Sequence, residues 1–248
     1  YDRTNEVITK IFESLTDSDT DILNFTQYDK ITSVNVFPRE SGEGDLLFFL
    51  DSLGRPTTLN IQSFKAGLYT PVTRDIIDVG KIPPLSPPDV VYANDTSRRV
   101  NNLRNKLFRF KTLFVYDDFE ESTTSPISAV PLPVKVLDET YTNVITNNNL
   151  INLSFDSGDK NVKSIRLLVS FVNKTNVWSA FLTVAILNKE EYGIDDNSPF
   201  PYSFYNDSTY PLYDVNRSIE LFDWVPESAY SQEMGNGNTL EYGGVEEG

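Results

Sequence analysis

The residues of this chain best suited to chemistry are four carboxylates in one short stretch, Asp117, Asp118, Glu120 and Glu121. Two carboxyl groups, one protonated and one ionised, can hydrolyse a glycosidic bond if the fold holds them on either side of the sugar. Neighbours on a single turn are poorly placed for that task, whereas a polar tip is ordinary composition for a solvated turn. We therefore interpret these four carboxylates as a contact surface.

The chain contains no histidine and no cysteine. Without imidazole it lacks the usual general base and the commonest metal ligand, and without a thiolate it lacks sulfur-based zinc sites. Ser-His-Asp and Cys-His catalysis are therefore excluded. The composition predicts a protein that is not an enzyme and has no cofactor.

One alternating acidic run, Asp17-x-Asp19-x-Asp21, imitates the opening of a calcium-binding loop. The pattern then fails, because Ile22 stands where that loop has glycine and Tyr28 where it has a bidentate glutamate. We predict a solvated acidic loop here and no metal site.

Aromatic residues crowd together between positions 200 and 213. Alternation at Phe200, Tyr202 and Phe204 favours one face of a strand in a core or subunit interface, where aromatic side chains contribute most. Flat rings also pack on sugar faces, so a carbohydrate- or receptor-binding surface is the alternative hypothesis. Its candidate residues are Tyr202, Tyr205, Tyr210 and Trp224.

The chain is acidic, with a formal net charge of -15. Nucleic-acid binding relies on clustered Lys and Arg, so sequence-specific binding of DNA or RNA is not expected. The one basic cluster, between positions 98 and 111, suits an acidic patch on a neighbouring copy. The interface candidates are Arg98, Arg99, Asp117, Asp118, Glu120, Glu121, Tyr205 and Trp224.

Alternation of apolar and polar residues from Phe108 to Tyr116 is typical of a strand with one buried face, and it places the acidic tip directly after that strand. A tight reversal is expected at 51–56, because Gly54 can supply a positive φ and Pro56 presets the chain leaving it. One short amphipathic helix is expected at residues 4–15. Further strands are expected at 31–37, 46–51, 57–61, 127–137, 150–155, 165–172 and 178–187.

Four prolines between positions 83 and 88 indicate a stiff connection and a module boundary. Short strands without intervening helices favour an antiparallel sandwich beyond it. We divide the chain into residues 1–80, with the helix and a propeller-like β-hairpin region, 81–191, a β-sandwich, and 192–248, an aromatic-rich β segment of a longer polypeptide. No apolar stretch approaches the roughly 20 residues of a membrane helix, so we expect a soluble chain without stable membrane insertion.

Three stretches in order resemble the tail-hub, muzzle or stabilisation proteins of crAss-like and other podovirus-type bacteriophages. The first is LLFFLDSLGRPTTLNI (46–61), with its strand, Gly-x-Pro turn and strand. The second, residues 81–128, is similar to that family's proline-rich segment, Phe-x-Phe, Tyr-Asp-Asp and Ser-x-x-Ser-Pro core. The third, residues 204–248, resembles its Phe-Tyr-Asn-Asp, Leu-Phe-Asp-x-Val-Pro and closing glycine-rich elements.

The resemblance implies a mainly β virion protein in which propeller-like hairpins flank an immunoglobulin- or fibronectin-III-like sandwich. It implies a structural subunit of the distal tail, made in the bacterial host cytoplasm, that forms part of the conduit for genome ejection. Its partners would be copies of itself and other phage tail proteins. Contact with passing DNA or with the host surface is compatible with that role.

Overall fold

The computed structural model describes residues 8, 10–13, 22–23, 25–26, 28–31, 33–40, 43–134, 147–172, 177–236 and 239–246. Within these ranges the chain is mainly β and forms several antiparallel sheets. The strands are β1 (Val34–Phe37), β2 (Leu46–Leu50), β3 (Pro56–Asn60), β4 (Asp89–Ala93), β5 (Leu107–Tyr116), β6 (Leu150–Asp156), β7 (Val162–Val172), β8 (Leu182–Asn188), β9 (Pro199–Phe204), β10 (Ser231–Gly235) and β11 (Thr239–Gly243). The short helices are α1 (Ile61–Lys65), α2 (Arg74–Ile77) and α3 (Lys189–Tyr192).

The chain divides into two compact units, which we call the discontinuous unit (residues 1–81 and 224–248) and the central unit (residues 82–223). The discontinuous unit contains the antiparallel sheet β1–β2–β3 and the antiparallel hairpin β10–β11. Asn60 caps α1 by accepting the backbone N–H groups of Gln62 and Ser63. The core of the discontinuous unit comprises Leu23, Phe49, Leu59, Phe64, Tyr69, Ile76 and Ile77.

The reversal between β2 and β3 is organised by the buried side chain of Asp51. Its Oδ1 accepts two backbone N–H groups of the turn, both at 2.9 Å, and its Oδ2 accepts Arg55 Nε at 2.8 Å and Arg74 Nη1 at 3.0 Å. Gly54 has a φ of 77°, and a Cβ there would lie 2.6 Å from the carbonyl oxygen of Ala229. The reversal predicted at 51–56 is therefore confirmed.

The central unit contains two three-stranded antiparallel sheets, β4–β6–β9 and β5–β7–β8. Side chains from both sheets fill one core, because alternate residues of each strand point to the same side. The ring of Phe204 on β9 lies 5.4 Å from that of Phe108 and 5.1 Å from that of Phe110, both on β5. The largest fully buried residues here include Ile151, Leu153, Ile165, Leu167 and Val169.

Most of the predicted strands are present, and the strand from Leu107 to Tyr116 has the extent that its alternation indicates. The prediction of a single buried face is wrong for this strand, because consecutive residues from Phe110 to Phe114 are buried on both faces. The prediction of a strand at 127–137 is wrong for residues 127–134, which belong to no strand, and residues 135–137 lie outside the described ranges. The helix predicted at 4–15 falls largely outside the described residues, and those described within it, 8 and 10–13, are not helical. The acidic run 17–21 also lies outside them.

The structure draws the unit boundaries differently from the sequence-based division at 191/192. Residues 199–204 form β9, which pairs with β6 from Ile151↔Phe204 to Asp156↔Pro199 and so belongs to the central unit. Pairing between strands distant in sequence decides this, and composition carries no signal for it. No helix within the described ranges combines the length and apolarity needed to cross a membrane.

Candidate interaction surface

One segment of the central unit is held against the edge of β5 by Ser122, Ser125 and Ser128. Each donates its backbone N–H to a carbonyl of β5, at 2.9, 2.7 and 2.9 Å in chain order. Each serine hydroxyl accepts the N–H of the same β5 residue, at 3.0, 2.9 and 2.9 Å, and donates to the carbonyl of the residue that follows the serine. The pairs are Ser122 with Phe114, Ser125 with Thr112, and Ser128 with Phe110.

The hydroxyls are needed because the segment has a smaller rise per residue than β5. The serines are three residues apart and their partners on β5 are two apart. Two strand residues span about 6.8 Å, so the segment rises only about 2.3 Å per residue. It is too compact to present a carbonyl to alternate N–H groups as a regular antiparallel strand does. The hydroxyl supplies that acceptor, and the edge of β5 is covered at these three positions.

The outer side of this segment is apolar. Burial recurs every third residue through Ser122, Ser125, Ser128 and Pro131, and the side chains between positions 126 and 134 are otherwise exposed. Leu132 and Val134 are each 72% exposed. We call residues 122–134 the serine segment.

The buried side chain of Lys111 ties the serine segment to a second stretch of chain. Its Nζ donates to Thr124 Oγ1 and to the carbonyl of Ser218, both at 2.8 Å, and lies 5.3 Å from the centre of the Phe181 ring. Burial, with a smaller contribution from the charge of Arg109, lowers the pKa of Lys111.

Immediately after Ser218 the chain exposes large apolar side chains. Ile219, Leu221 and Phe222 are 70, 77 and 82% exposed, although the turn just before them is anchored. In that turn Asp214 Oδ1 accepts the backbone N–H of Asn216 at 2.8 Å. We call residues 219–223 the apolar segment.

Glu121 stands apart from the rest of the acidic tip, because arginines and a tyrosine surround it. Its carboxylate lies 2.6 Å from Arg166 Nη2 and 3.9 Å from Arg217 Nη1, and accepts the hydroxyl of Tyr213 at 3.1 Å. Burial, together with the charge of Glu121 and this hydrogen bond, raises the pKa of Tyr213. The network holds the 213–218 turn on the outer face of the sheet β5–β7–β8.

The other three tip carboxylates form the turn after β5. Asp118 Oδ1 accepts the backbone N–H of Glu120 at 3.1 Å, and the backbone N–H of Asp117 donates to Asn161 at 3.0 Å. Phe119 between them has a φ of 68°, with Lys163 Nζ 4.2 Å from its ring centre. Of the four acidic interface candidates, Glu121 is therefore held by arginines, and the other three lie in the turn after β5.

Arg98 and Tyr205, two interface candidates distant in sequence, lie together. The guanidinium of Arg98 stacks 4.1 Å from the centre of the Tyr205 ring and pairs with Asp207 at 3.1 Å. Tyr205 also donates its hydroxyl to Asp95 at 2.9 Å. Burial and this hydrogen bond raise the pKa of Tyr205, while hydrogen bonds from Ser97 hold that of Asp95 low.

Arg98 belongs to a stretch, residues 98–106, that has four cationic residues and no carboxylate; we call it the basic loop. Asn148 joins this loop to the end of the serine segment. Asn148 accepts Val134 N–H at 3.0 Å and donates to its carbonyl at 2.9 Å, and its own carbonyl accepts Asn101 Nδ2 at 3.3 Å. Arg99 and Arg104 are exposed and pair with no carboxylate within the described ranges.

The aromatic run between positions 200 and 213 contributes mainly to packing. Phe204 and Tyr213 are buried, while Phe200, Tyr202 and Tyr210 pack against the core of the central unit. Trp224, in the discontinuous unit, is 87% exposed.

Sequence reasoning missed the serine segment, Lys111 as its anchor, and the apolar segment. The Ser-x-x-Ser-x-x-Ser spacing at 122–128 was a usable signal, because a three-residue period fits neither a strand nor an α-helix. The exposure of Ile219, Leu221 and Phe222 had no such signal, since Ser-Ile-Glu-Leu-Phe-Asp-Trp-Val also fits a half-buried strand.

No protein-family model matches the chain, and no curated protein matches it.

Proposed function

We propose that this chain is a structural subunit of a bacteriophage tail, acting through interfaces between subunits rather than through catalysis. The observation that carries the proposal is the exposure of Ile219, Leu221 and Phe222, three large apolar side chains within four residues. Soluble monomers rarely expose large contiguous apolar patches, and such patches mark surfaces that other proteins cover. The ordered resemblance over residues 46–61, 81–128 and 204–248 supports the same reading.

For the fold we propose an immunoglobulin- or fibronectin-III-like β-sandwich in the central unit. Two antiparallel sheets that share one core support it. For the discontinuous unit we propose propeller-like hairpins, supported by the β2–β3 hairpin and its Asp51 reversal. A propeller closes only when several such hairpins lie side by side. This proposal therefore requires further hairpins, supplied by other polypeptide segments or by other copies of the chain.

The charge of the chain suits a wall of the conduit for genome ejection. A net charge of -15 repels phosphates, so passing DNA would not be retained. The tip carboxylates support a role without catalysis, because Glu121 is engaged by arginines and Asp118 by the backbone of its own turn.

Cryo-electron microscopy of intact particles of the encoding phage, combined with mass spectrometry of isolated tails, tests the proposed function. The chain should occur in tails in fixed stoichiometry with other tail proteins. A protein found free in infected cells and absent from purified virions would refute the proposal.

A carbohydrate-binding module is the second candidate, and one feature favours it. The discontinuous unit has an open cleft of about 320 Å³ whose lining includes Asp29, Lys30, Tyr230 and Glu246, with Tyr230 highly exposed. Tyr205 is less suited to sugar stacking, because Arg98 already covers its ring. Selective binding on a glycan array, lost in Tyr230→Ala and kept in Tyr192→Ala, would favour this candidate over the tail subunit.

A further inference from the structure

The central unit carries two exposed surfaces that complement each other in charge and in apolar character. One is acidic, since the apolar segment contains Glu220 and Asp223 and no cation. Glu220 has no ion pair within the described residues. It lies among Ile219, Leu221 and Phe222.

The other surface is basic and also apolar. It consists of the basic loop, with Arg99 and Arg104 exposed and unpaired in the described ranges, and the end of the serine segment, Leu132 and Val134. Asn148 holds these two parts together through its hydrogen bonds to Val134 and Asn101. This surface, which combines arginines with exposed leucine and valine, is the counterpart of a surface that combines glutamate with exposed isoleucine and phenylalanine.

The two surfaces lie at different places along β5 of the same copy. The basic loop ends just before Leu107, the first residue of β5, whereas the apolar segment leaves the sheet at Ser218, which is held against Lys111. Arg99 and Arg104 make no ion pair with Glu220 in one chain. Unpaired charges of opposite sign on separate surfaces of one chain can be satisfied by a second copy.

We propose that the occupant of the apolar segment is a second copy of this chain, which presents its basic loop and serine-segment end, so that Glu220 of one copy meets Arg99 and Arg104 of the next. This inference rests on the proposed function and names the partner at its interface. Because the two surfaces differ, the contact is heterologous, and its repetition gives either a closed ring or an open filament.

Charge reversal in the full chain tests this contact. Glu220→Arg and the double variant Arg99→Glu/Arg104→Glu should each weaken self-association, measured by analytical ultracentrifugation, by roughly tenfold or more, which is the loss expected for a central interface residue. Asp89→Arg, which makes the same charge change at an exposed position on β4, is the matched control and should associate as the unaltered chain does.

Mixing the two reversed variants is the decisive arm. The reversed loop of one variant then faces the reversed segment of the other, so the mixture should recover association that neither variant has alone. Leu132→Ser and Phe222→Ser should each weaken association without changing the circular dichroism spectrum, because both side chains are exposed.

Several results would overturn the inference. They are an unaltered chain that stays monomeric at every concentration, reversed variants that associate normally, and a mixture that fails to recover. If tails of the phage contain the protein in any of these cases, the proposed function stands and only this interface is wrong. If the protein associates as described but is absent from tails, the proposed function fails instead.

Discussion

At the scale of single residues, the buried carboxylate of Asp51 belongs to a network of charged side chains in the discontinuous unit. Its side chain is 0% exposed and lies within 3.0 Å of nitrogens from Arg55 and Arg74. Arg74 also pairs with Asp78, and burial raises the pKa of Asp78 while lowering that of Arg74. Removing one partner of such a buried network leaves the others uncompensated.

Asp51→Ala should therefore destabilise the discontinuous unit by about 3–5 kcal/mol. The loss can be measured by urea denaturation, with hydrogen exchange of peptides covering residues 46–60 as the readout. Glu40→Ala, at an exposed position before β2, is the control and should change little. A loss confined to a few tenths of a kcal/mol in Asp51→Ala would show that the turn holds without its carboxylate.

One buried and one half-buried tyrosine make the central unit sensitive to alkali. Burial raises the pKa of Tyr92 to about 12, and burial with the charge of Asp207 raises that of Tyr210 to about 12. The unfolded chain releases these protons near pH 10, and the folded chain keeps them. The stability that these two tyrosines contribute is thus fully present below about pH 10. It falls as the pH rises towards 12, by about 1.4 kcal/mol per pH unit for each tyrosine.

Tyr92→Phe should remove the share of one tyrosine from the loss of unfolding free energy above pH 10, about 1.4 kcal/mol per pH unit. Thermal unfolding measured across the same pH range, with tyrosinate absorbance as a second probe, reports it. The exposed Tyr192→Phe variant is the control. Identical slopes for Tyr92→Phe and the unaltered chain would contradict the assignment.

At the scale of elements, the serine segment shows how a stretch without strand geometry can cover a strand edge. Each hydroxyl replaces a carbonyl that the compact backbone cannot present. The deletion of one hydroxyl leaves a buried N–H of β5 without its acceptor.

Ser125→Ala should consequently cost about 1–3 kcal/mol, the penalty for an unsatisfied buried donor. Faster hydrogen exchange at Thr112, measured by NMR, should accompany the loss. Ser203→Ala, at an exposed position on β9, serves for comparison. Unchanged protection at Thr112 would mean that another acceptor replaces the hydroxyl.

Two glycines at element ends separate backbone strain from crowding. Gly158, between β6 and β7, has a φ of 69°, and a Cβ there would lie 2.7 Å from Val162 Cγ2 and 2.9 Å from Phe114 Cζ. Gly193, after α3, has a φ of 61° and no atom within 4 Å of such a Cβ.

Gly193→Ala should cost about 1–2 kcal/mol, the strain of a left-handed residue alone. Gly158→Ala should cost about 1–3 kcal/mol more, because the methyl group also overpacks the core. Urea denaturation of the two variants side by side measures the difference. Equal losses would show that Val162 and Phe114 move aside freely.

At the scale of the whole molecule, one unit is continuous in sequence and the other is not. The core of the central unit draws its residues from between positions 92 and 204, whereas the discontinuous unit needs residues 224–248 as well as 1–81. In that unit the N–H of Ala229 donates to the carbonyl of Gly54 at 2.8 Å, and Ser33 donates to the carbonyl of Gln232.

Ala229→Pro removes that donor and should raise hydrogen exchange in peptides covering residues 46–60 while leaving residues 107–116 protected. Deletion of residues 224–248 should produce the same pattern more strongly. Val245→Pro, outside the β10–β11 pairing, is the point control. Loss of protection at 107–116 in Ala229→Pro would show that the two units do not unfold separately.

The sequence alone predicted the mainly β class, the β2–β3 reversal and the extent of β5. These follow from local rules, because alternation indicates a strand and Gly54 permits the turn. Alternation did not predict that β5 is buried on both faces from Phe110 to Phe114, which depends on the segments packed against it. The site was predicted only in part, since Arg98 and Tyr205 were both chosen as interface candidates but nothing in the sequence indicated that they stack.

Only the tertiary structure decided that Glu121 forms an ion pair with Arg166 and that β9 pairs within the central unit. It also decided that Ile219, Leu221 and Phe222 remain exposed. Each depends on contacts between residues far apart in the chain. Local alternation and composition carry no information about which distant strand or charge arrives at a given surface.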